Sequence, residues 1–346
     1  MNPIPTDDDK TFVFDLLYGF YRSQALQTFA TLGVADELAA RPRTAHDLAA
    51  DLDCDGPTLY RFLRLCTALR LVDSIGDGTF ALTGAGALLR SGTDPTMRTV
   101  VRFWAGDEQW RAWGALEDAI RSGEPTLEDA LGAPIFPWLA EHPERGRVFS
   151  EAMAERARMD HPGIVEACDL SGMRTIVDLG GGNGTLLTAF LKANPGLSGE
   201  LVDTPANVAL AETVLSEAGL SDRARLIAGD FFDSVPRDRD AYVLKSVIHD
   251  WNDEQSERAL KVCRDAMRAD SVLYIVDPVI PDEPEGWIAS PRAVLSDLNM
   301  LVVTGGTERT AGEFEALLRA SGFTLDSIRE CPRAPGFSVV TACPAG

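Results

Sequence analysis

The sequence predicts an α/β fold, with a mostly parallel sheet in the second half of the chain and a mainly helical first half. From position 175 onward, short apolar runs alternate with helical stretches, and this succession is typical of a parallel sheet. The last two apolar runs are joined by a short segment with two prolines and a glycine, which predicts an antiparallel pair. Before position 97, two short helices and a hairpin follow one another in the order of a winged helix-turn-helix.

The helical first half is inferred from apolar spacing and capping residues. Apolar side chains recur at three- and four-residue steps from Thr11 to about Leu38, which predicts helix. Thr44 is suited to cap a short helix, and Asp55 with Pro57 opens a second one. Gly-Asp-Gly at 76–78 turns a small hairpin. The aromatic stripe of the first segment is either intradomain core or a face that packs on a second copy of the chain.

Seven strands are predicted in the second half of the chain. The five that belong to the parallel part are TIVDLG, GELVD, ARLIAGD, DAYVLKS and SVLYIVD, and the antiparallel pair is FTLDSIREC and FSVVTAC. Residues 97–170 are predicted to form further helices, which prolines divide into short pieces.

The charge balance argues against a nucleic-acid partner. The chain carries 32 Lys and Arg against 53 Asp and Glu, a formal net charge of -21. Within the winged-helix segment, four arginines stand against six aspartates, so this segment cannot neutralise phosphates. A scaffold or dimerisation role is therefore favoured over a ligand-sensing DNA regulator.

Other classes of site and location are also disfavoured. The first residues contain no basic region followed by an apolar one, and no long uncharged apolar run occurs, so we expect a cytoplasmic protein without a membrane contact. The six cysteines lack a C-x-x-C pair and the four histidines lack an H-x-x-x-H pair. We therefore expect reduced thiols and no metal site.

The glycine-rich loop after the first predicted strand favours a cationic cofactor. Gly180 and Gly182 allow a ligand to approach the backbone closely. A dinucleotide fingerprint would need glycine or alanine three positions beyond Gly182, where Thr185 stands. The acid just ahead of the loop, Asp178, would repel a pyrophosphate but attract an ammonium or a sulfonium.

Two further acids follow the next strands. Asp203 ends the second strand about 20 residues beyond the first glycine, where a carboxylate can accept the hydroxyls of a ribose. Asp230 follows the third strand between Gly229 and Phe231, and offers a carboxylate and aromatic faces to an adenine. Because ligands of open α/β sheets lie outside the carboxyl ends of the strands, the three acids are predicted to form one site.

The glycine loop and the three acids are accompanied by two further motifs, LKSVIHDWNDE at 244–254 and GGTERT at 305–310. Together these features resemble the plant-type small-molecule O-methyltransferases and their bacterial antibiotic-pathway relatives. The resemblance implies S-adenosylmethionine as cofactor, S-adenosylhomocysteine as product, and Asp178, Asp203 and Asp230 on methionine, ribose and adenine. It also implies a Rossmann-like, seven-stranded methyltransferase sheet over 171–346. The preceding parts would be a winged-helix domain over 1–96 that forms a homodimer and a helical lid over 97–170 that contributes to the substrate pocket.

The resemblance assigns His249 as general base. Imidazole, with an unperturbed pKa of about 6.5, is suited to take a proton from a phenol near neutrality. Asp277 and Glu308 are implied as the partners that orient it. Asp277 is one methylene shorter than the glutamate common in the plant enzymes, which makes Glu308 the expected direct partner.

The remaining candidates surround these groups. Lys245, Ser246 and Trp251 are predicted cofactor contacts, although Lys245 can simply line a strand end and Trp251 can be core. Phe149, Met153, Asn299 and Met300 are predicted to line the substrate pocket.

The predicted activity is methyl transfer to a phenolic hydroxyl of a small aromatic metabolite. The same base would also activate a ring carbon or an enolate, so C-methylation stays open. A non-methylating relative that retains the cofactor structurally is a further alternative.

Overall fold

The computed structural model describes residues 4–346, apart from the side chains at positions 136 and 140. They form two units, one of residues 4–111 with Ala133–Arg156 and the other of Ala112–Gly132 with Ala157–Gly346. Within residues 4–346, no helix is long and apolar enough to cross a bilayer.

The N-terminal part has the predicted winged-helix order. Its elements are α1 Asp7–Leu17, α2 Gly19–Leu32, α3 Val34–Glu37, β1 Arg43–Thr44, α4 Ala45–Asp51, α5 Gly56–Ala68, β2 Val72–Gly76, β3 Thr79–Leu82, α6 Gly84–Ala87, α7 Arg98–Trp104 and α8 Asp107–Gly114. The strands form a small antiparallel sheet in the order β1-β3-β2. Thr44 and Asp55 cap α4 and α5 as predicted, by accepting hydrogen bonds from the backbone N–H groups of Asp47 and Thr58.

The long helical segment predicted from Thr11 to Leu38 is divided. It comprises part of α1 and the whole of α2 and α3, with breaks at Tyr18 and Gly33. The φ of 76° at Gly33 ends α2 in the left-handed region that favours glycine. The core beneath it is formed by buried side chains of α2, α4, α5 and β3, such as Phe29, Leu48, Leu63 and Phe80.

The first part of the aromatic stripe, up to Tyr21, does not belong to this core. None of the residues of α1 is buried. The apolar face comprises eight side chains with 42–64% of their surface exposed: Phe12, Val13, Phe14, Leu16, Leu17, Tyr18, Phe20 and Tyr21. Intradomain core, one of the two interpretations of this stripe, is therefore excluded for these residues.

The middle of the chain adds further helices, α9 Leu116–Ser122, α10 Leu127–Leu131, α11 Ile135–Glu141 and α12 Pro143–Ala167. The second unit then continues with β4 Thr175–Leu179, α13 Thr185–Ala193, β5 Ser198–Asp203, α14 Pro205–Glu217, β6 Ala224–Ala228, β7 Ala241–Lys245, α15 Asp253–Ala266, β8 Val272–Asp277, β9 Val279–Ile280, α16 Pro284–Ala289, α17 Pro291–Val303, β10 Arg309–Thr310, α18 Ala311–Ala320, β11 Phe323–Glu330 and β12 Ser338–Pro344. Short 3₁₀ helices lie at Ser221–Arg223 and Ile248–Asp250.

The seven predicted strands form one sheet in the order β11-β12-β8-β7-β4-β5-β6. Strands β4 to β8 are parallel, and β12 pairs antiparallel with both β8 and β11, which confirms the predicted fold. Apolar side chains cover both faces, with Ile176 and Phe190 in one layer and Leu244 and Ile275 in the other. The carboxyl ends of β4, β5, β6, β7 and β8 therefore lie along one edge of the sheet.

A two-residue parallel pair, which the sequence does not predict, lies beside this edge. In it, β9 pairs with β10 through Arg309 opposite Val279 and Thr310 opposite Ile280. This pairing brings the residue before β10, Glu308, alongside the end of β8.

The helical segment predicted over 97–170 is shared between the two units. Residues 112–132 group with the second unit, because α9 and α10 pack against α17. Residues 133–156 group with the N-terminal helices.

Candidate active site

The glycine loop begins where β4 ends. Gly180 and Gly182 have φ values of 66° and 57°, which side chains other than glycine rarely adopt. A Cβ on Gly180 would lie 2.8 Å from Cγ2 of Val247, whereas a Cβ on Gly182 would meet no atom of the described residues within 4 Å. The loop thus packs closely at its first glycine and leaves open space at the second.

Asp178 is a buried carboxylate without a full set of partners. The residue is 1% exposed, and its Oδ2 has no hydrogen-bond partner among the described residues. Burial, reinforced by the charge of Asp203 and opposed by Lys245, raises the pKa of the Asp178 carboxyl to about 7. The described residues, Lys245 included, therefore do not fully compensate this buried carboxylate.

Asp203, at the end of β5, holds the loop. Its Oδ2 accepts a hydrogen bond of 2.8 Å from the N–H of Gly182. Its Oδ1 accepts from the N–H of Thr204 at 2.6 Å and from Nδ2 of Asn207 at 2.7 Å. Each carboxylate oxygen can accept a further hydrogen bond, so these contacts leave capacity for a ligand hydroxyl.

The loop after β6 carries the third acid and an aromatic cluster. Asp230 is exposed, and its Oδ1 accepts a hydrogen bond of 2.8 Å from the N–H of Phe232. The rings of Phe231 and Phe232 stack at 4.8 Å, and Trp251 meets Phe232 edge-on at 5.0 Å. Gly229 donates its N–H to the carbonyl of Asp203, so the loops after β5 and β6 are joined.

The end of β7 supplies a lysine and a strained turn. The Nζ of Lys245 lies 4.8 Å from the centre of the Phe337 ring. Ser246 has a φ of 54° and donates its N–H to the carbonyl of Val276 on β8. This turn directs the chain into the 3₁₀ helix that carries His249.

His249 lies among three carboxylates. Its Nδ1 is 3.0 Å from Oε1 of Glu308, a hydrogen bond, and 3.8 Å from Oδ1 of Asp277. Its Nε2 is 3.9 Å from Oδ1 of Asp250. Glu308 is thus the direct partner, as expected from the shorter side chain of Asp277, and Asp277 contributes an ion-pair contact.

The pKa values in this cluster are strongly displaced. Burial lowers the pKa of His249, but Asp277 and Glu308 outweigh it and raise the pKa to about 9. Asp277 is fully buried, and neither of its carboxylate oxygens has a hydrogen-bond partner among the described residues. Burial, opposed by His249 and reinforced by Glu308, raises its pKa to about 7.

Two residues of α17 fix Glu308, and the sequence pattern does not predict either. Ser296 donates its hydroxyl to Oε1 of Glu308 at 2.7 Å. Oδ1 of Asp297 accepts the N–H of Glu308 at 3.0 Å. Their roles depend on the packing of α17 beside Glu308, for which neither the apolar periodicity nor a local motif gives a signal.

The backbone of His249 is held by residues of the GGTERT run. The N–H of Thr307 donates to the carbonyl of His249 at 2.9 Å. A Cβ on Gly306 would lie 2.1 Å from this carbonyl oxygen, so only glycine fits there. The buried guanidinium of Arg309 donates to the carbonyls of Ile248 and Trp251 on either side of His249.

The predicted substrate residues lie in different units. Asn299 and Met300 are on α17 in the second unit, and Oδ1 of Asn299 accepts a hydrogen bond of 3.0 Å from Nε1 of Trp113. Phe149 and Met153 are on the part of α12 that belongs to the first unit, where they pack on a cluster that includes Phe103. The substrate roles of all four residues stay predictions.

His161 is a further buried group that the sequence does not single out. Burial, reinforced by the positive charge of Lys245, lowers its pKa to about 3, so its imidazole is neutral near pH 7. The interaction of this imidazole with the backbone of Thr185, at the start of α13, opposes that shift.

Comparison with known families identifies this arrangement. A family model for an O-methyltransferase domain matches residues 113–324. The chain belongs to the O-methyltransferase family. A second model, for an O-methyltransferase dimerisation domain, matches residues 14–92 of this O-methyltransferase.

Individual O-methyltransferases are similar over nearly the whole chain. Phenazine O-methyltransferase PhzM of Lysobacter antibioticus is 39% identical, over 96% of each chain. The structure of mitomycin 7-O-methyltransferase MmcR is 35% identical, with a TM-score of 0.86 over 97% of this chain and 98% of that chain. The structure of CalO1, a methyltransferase in calicheamicin biosynthesis in its SAH-bound form, is 30% identical, with a TM-score of 0.86 over 99% of this chain and 100% of that chain.

These relationships establish an S-adenosylmethionine-dependent methyltransferase. The residues of this O-methyltransferase fit its cofactor. The buried Oδ2 of Asp178, which has no hydrogen-bond partner among the described residues, complements a cation. The open space at Gly182 lets a ligand reach the backbone.

Proposed function

We propose that this enzyme methylates a phenolic hydroxyl of a small aromatic metabolite, with His249 as general base. The observation that carries the proposal is the 3.0 Å contact between Nδ1 of His249 and Glu308, which leaves Nε2 to accept the proton of a substrate. The phenazine acted on by the Lysobacter antibioticus relative supports a planar aromatic acceptor.

The cofactor would lie along the edge formed by the ends of β4, β5, β6 and β7. Asp178 would hold the ammonium of its methionine portion, Asp203 its ribose hydroxyls, and Asp230 and Phe231 its adenine. The other proposed contacts are Gly180, Gly182, Gly229, Lys245, Ser246 and Trp251. When bound, S-adenosylmethionine supplies an electrophilic methyl group next to a positively charged sulfur.

The carboxylates make His249 a stronger base than ordinary imidazole. With a pKa of about 9, its conjugate acid is within about one pKa unit of an ordinary phenol. Taking the phenol proton then costs about 1.4 kcal/mol, compared with about 5 kcal/mol for an unperturbed imidazole. Glu308 and Asp277 would stabilise the imidazolium while the proton stays on Nε2, which keeps electron density on the phenolic oxygen.

Two pairs of side chains are proposed as substrate contacts, one pair in each unit. Asn299 and Met300 of α17 and Phe149 and Met153 of α12 are the proposed substrate contacts. Since these are mostly apolar or aromatic side chains, they suit a flat aromatic ring.

A panel of phenols with isotopically labelled cofactor tests this function. We expect a labelled methyl ether, identified by product NMR, together with one equivalent of S-adenosylhomocysteine per turnover. A new carbon–methyl bond would replace the proposal by C-methylation. Product formation without S-adenosylhomocysteine would show that the cofactor has a structural role only.

We also propose that the exposed apolar face of α1 and α2 forms a homodimer interface. The family match to a dimerisation domain covers most of this face. Eight large apolar side chains exposed together, from Phe12 to Tyr21, form a patch that monomeric proteins rarely leave in water.

Sedimentation velocity tests the dimer. The wild type should sediment with twice the chain mass, and a Phe12→Asp, Leu16→Asp double variant should sediment as a monomer, because two carboxylates would be buried without partners. Leu210→Asp is the control, since Leu210 is comparably exposed, at 55%, on α14 of the second unit. A dimer that survives the double variant contradicts this interface.

A further inference from the structure

The contact between Trp113 and Asn299 fixes the direction of an amide group. An indole N–H can only donate a hydrogen bond, so the oxygen of the Asn299 carboxamide must face Nε1 of Trp113, at 3.0 Å. The amide nitrogen Nδ2 therefore points away from Trp113. It has no hydrogen-bond partner among the described residues, and this leaves an N–H donor ready for a ligand.

The segment that carries Trp113 is anchored to the helix that carries Asn299. The buried residue Thr126 donates its N–H to the carbonyl of Val302 on α17 at 3.0 Å. The Thr126 hydroxyl donates to the carbonyl of Ala112, next to Trp113, at 2.9 Å. These bonds hold Trp113 and Asn299 in one register, 186 residues apart in sequence.

Asn299 lies one helical turn from the contact that positions the base. Ser296 and Asn299 are three residues apart on α17, so they are neighbours on one helix face, with Cβ atoms about 5–6 Å apart. Ser296 contacts Glu308, and Glu308 contacts His249. The Asn299 amide is therefore carried by the same helix that fixes Glu308.

The charges nearby favour a neutral group on the substrate. Asp250, Asp277 and Glu308 surround His249, and the whole chain carries a net charge of -21. A substrate carboxylate would be repelled by these groups, and a neutral amide donor gives it no compensating positive charge. A carbonyl oxygen accepts the Asn299 N–H without that repulsion.

We propose that Trp113 is a positioning residue that directs the Asn299 amide to donate a hydrogen bond to a substrate carbonyl. The preferred acceptors are then phenols that also carry a neutral carbonyl group, such as a ketone. This inference rests on the proposed phenol methylation.

Steady-state kinetics with para-hydroxyacetophenone and para-ethylphenol tests the inference, because the two phenols have similar size and differ in the carbonyl. We expect Trp113→Phe, which keeps an aromatic ring but loses the N–H, to raise KM for the ketone about tenfold and to change kcat by less than about twofold. The KM for para-ethylphenol should not change. Asn299→Asp, which still accepts from Trp113 but offers no N–H, should raise KM for the ketone by a larger factor than KM for para-ethylphenol, and it provides the test if Trp113→Phe does not fold.

Trp287→Phe is the matched control. Trp287 also donates its indole N–H to a carbonyl, that of Pro281, at 2.7 Å, but it is an exposed residue of α16. This variant should change neither KM. Two results would overturn the role of Trp113 and leave phenol methylation standing. One is an equal KM for the two phenols in the wild type. The other is an equal increase in KM for both phenols in Trp113→Phe and Asn299→Asp. Absence of methyl ether from both phenols in the wild type would overturn the phenol proposal and this inference with it.

Discussion

His249→Ala is expected to lower kcat for methylation of a neutral phenol by about two to four orders of magnitude, because the phenol proton would then have to leave to water. Initial rates with labelled cofactor, at saturating phenol and constant pH, measure this loss. Binding of S-adenosylhomocysteine should change little, which separates lost chemistry from lost folding. The exposed histidine His46, on α4, provides the control, and His46→Ala should keep the wild-type rate. A His249→Ala enzyme with more than about a tenth of wild-type kcat would contradict the base assignment.

The pH dependence of the same reaction follows from the raised pKa of His249. Protonated imidazole cannot accept the proton, so kcat/KM should rise about tenfold per pH unit below neutrality and level off near pH 9. Glu308→Gln removes the carboxylate that accepts from Nδ1, so the pKa of His249 falls and the break in the profile should move to lower pH, with a lower plateau.

A raised folded-state pKa also means that His249 stabilises the fold fully below about pH 6.5, and that this contribution is lost as pH rises through about 9.

Asp178→Asn is expected to weaken S-adenosylhomocysteine binding by about 100- to 1000-fold, since it removes one partner of a buried charge pair. The folded protein should tolerate this change, because Asn has the same shape and Oδ2 of Asp178 lacks a hydrogen-bond partner among the described residues. Isothermal titration calorimetry measures the affinity, and the thermal midpoint reports folding. Asp222→Asn, at an exposed aspartate in the 3₁₀ helix after α14, is the control and should bind normally. An Asp178→Asn affinity within about threefold of wild type would remove Asp178 from the proposed cofactor contacts.

Binding at Asp178 should also release a proton. With a pKa of about 7, the carboxyl is partly protonated near neutrality in the free enzyme, and the approach of an ammonium favours its ionised form. The heat of binding should therefore vary with the ionisation enthalpy of the buffer in the wild type, and vary less in Asp178→Asn. Because this folded-state pKa is raised, the protonated carboxyl favours folding below about pH 3.8, and that contribution is lost as pH rises through about 7.

Much of the fold follows from local sequence patterns. Each predicted strand is a short apolar run with polar or glycine residues at its ends, and all seven belong to the sheet. The short link before β12 forces antiparallel pairing with β11, and the side chains of Thr44 and Asp55 cap the predicted helices. These features depend on a few neighbouring residues, which is why periodicity and capping rules predict them.

The cluster of candidate active-site residues is only partly predictable in this way. The ends of parallel strands must share an edge, so the proximity of Asp178, Asp203 and Asp230 follows from topology. The approach of Glu308 to His249, 59 residues away, depends on the two-residue pair of β9 and β10, which is too short to give a sequence signal. The sequence indicates Glu308 only through the family resemblance.

The contacts that sequence reasoning missed are those between distant helices and loops. Ser296 and Trp113 have no motif of their own, and their positions depend on how α9, α10 and α17 pack. The division of residues 97–170 between two units has the same origin, since a helical pattern does not reveal which neighbour a helix packs against. For the same reason, the apolar spacing in α1 does not show whether its aromatic stripe packs inside the domain or on a second copy of the chain.

Gly306 limits how this enzyme can be redesigned. The oxygen of the His249 peptide occupies the space that any side chain at position 306 would need, so even alanine would push the imidazole out of alignment. Mutant libraries intended to change the accepted phenols should therefore leave this glycine untouched and randomise positions 299 and 300 on the neighbouring helix. Directed evolution can then explore new acceptors without disabling the proposed proton transfer to His249.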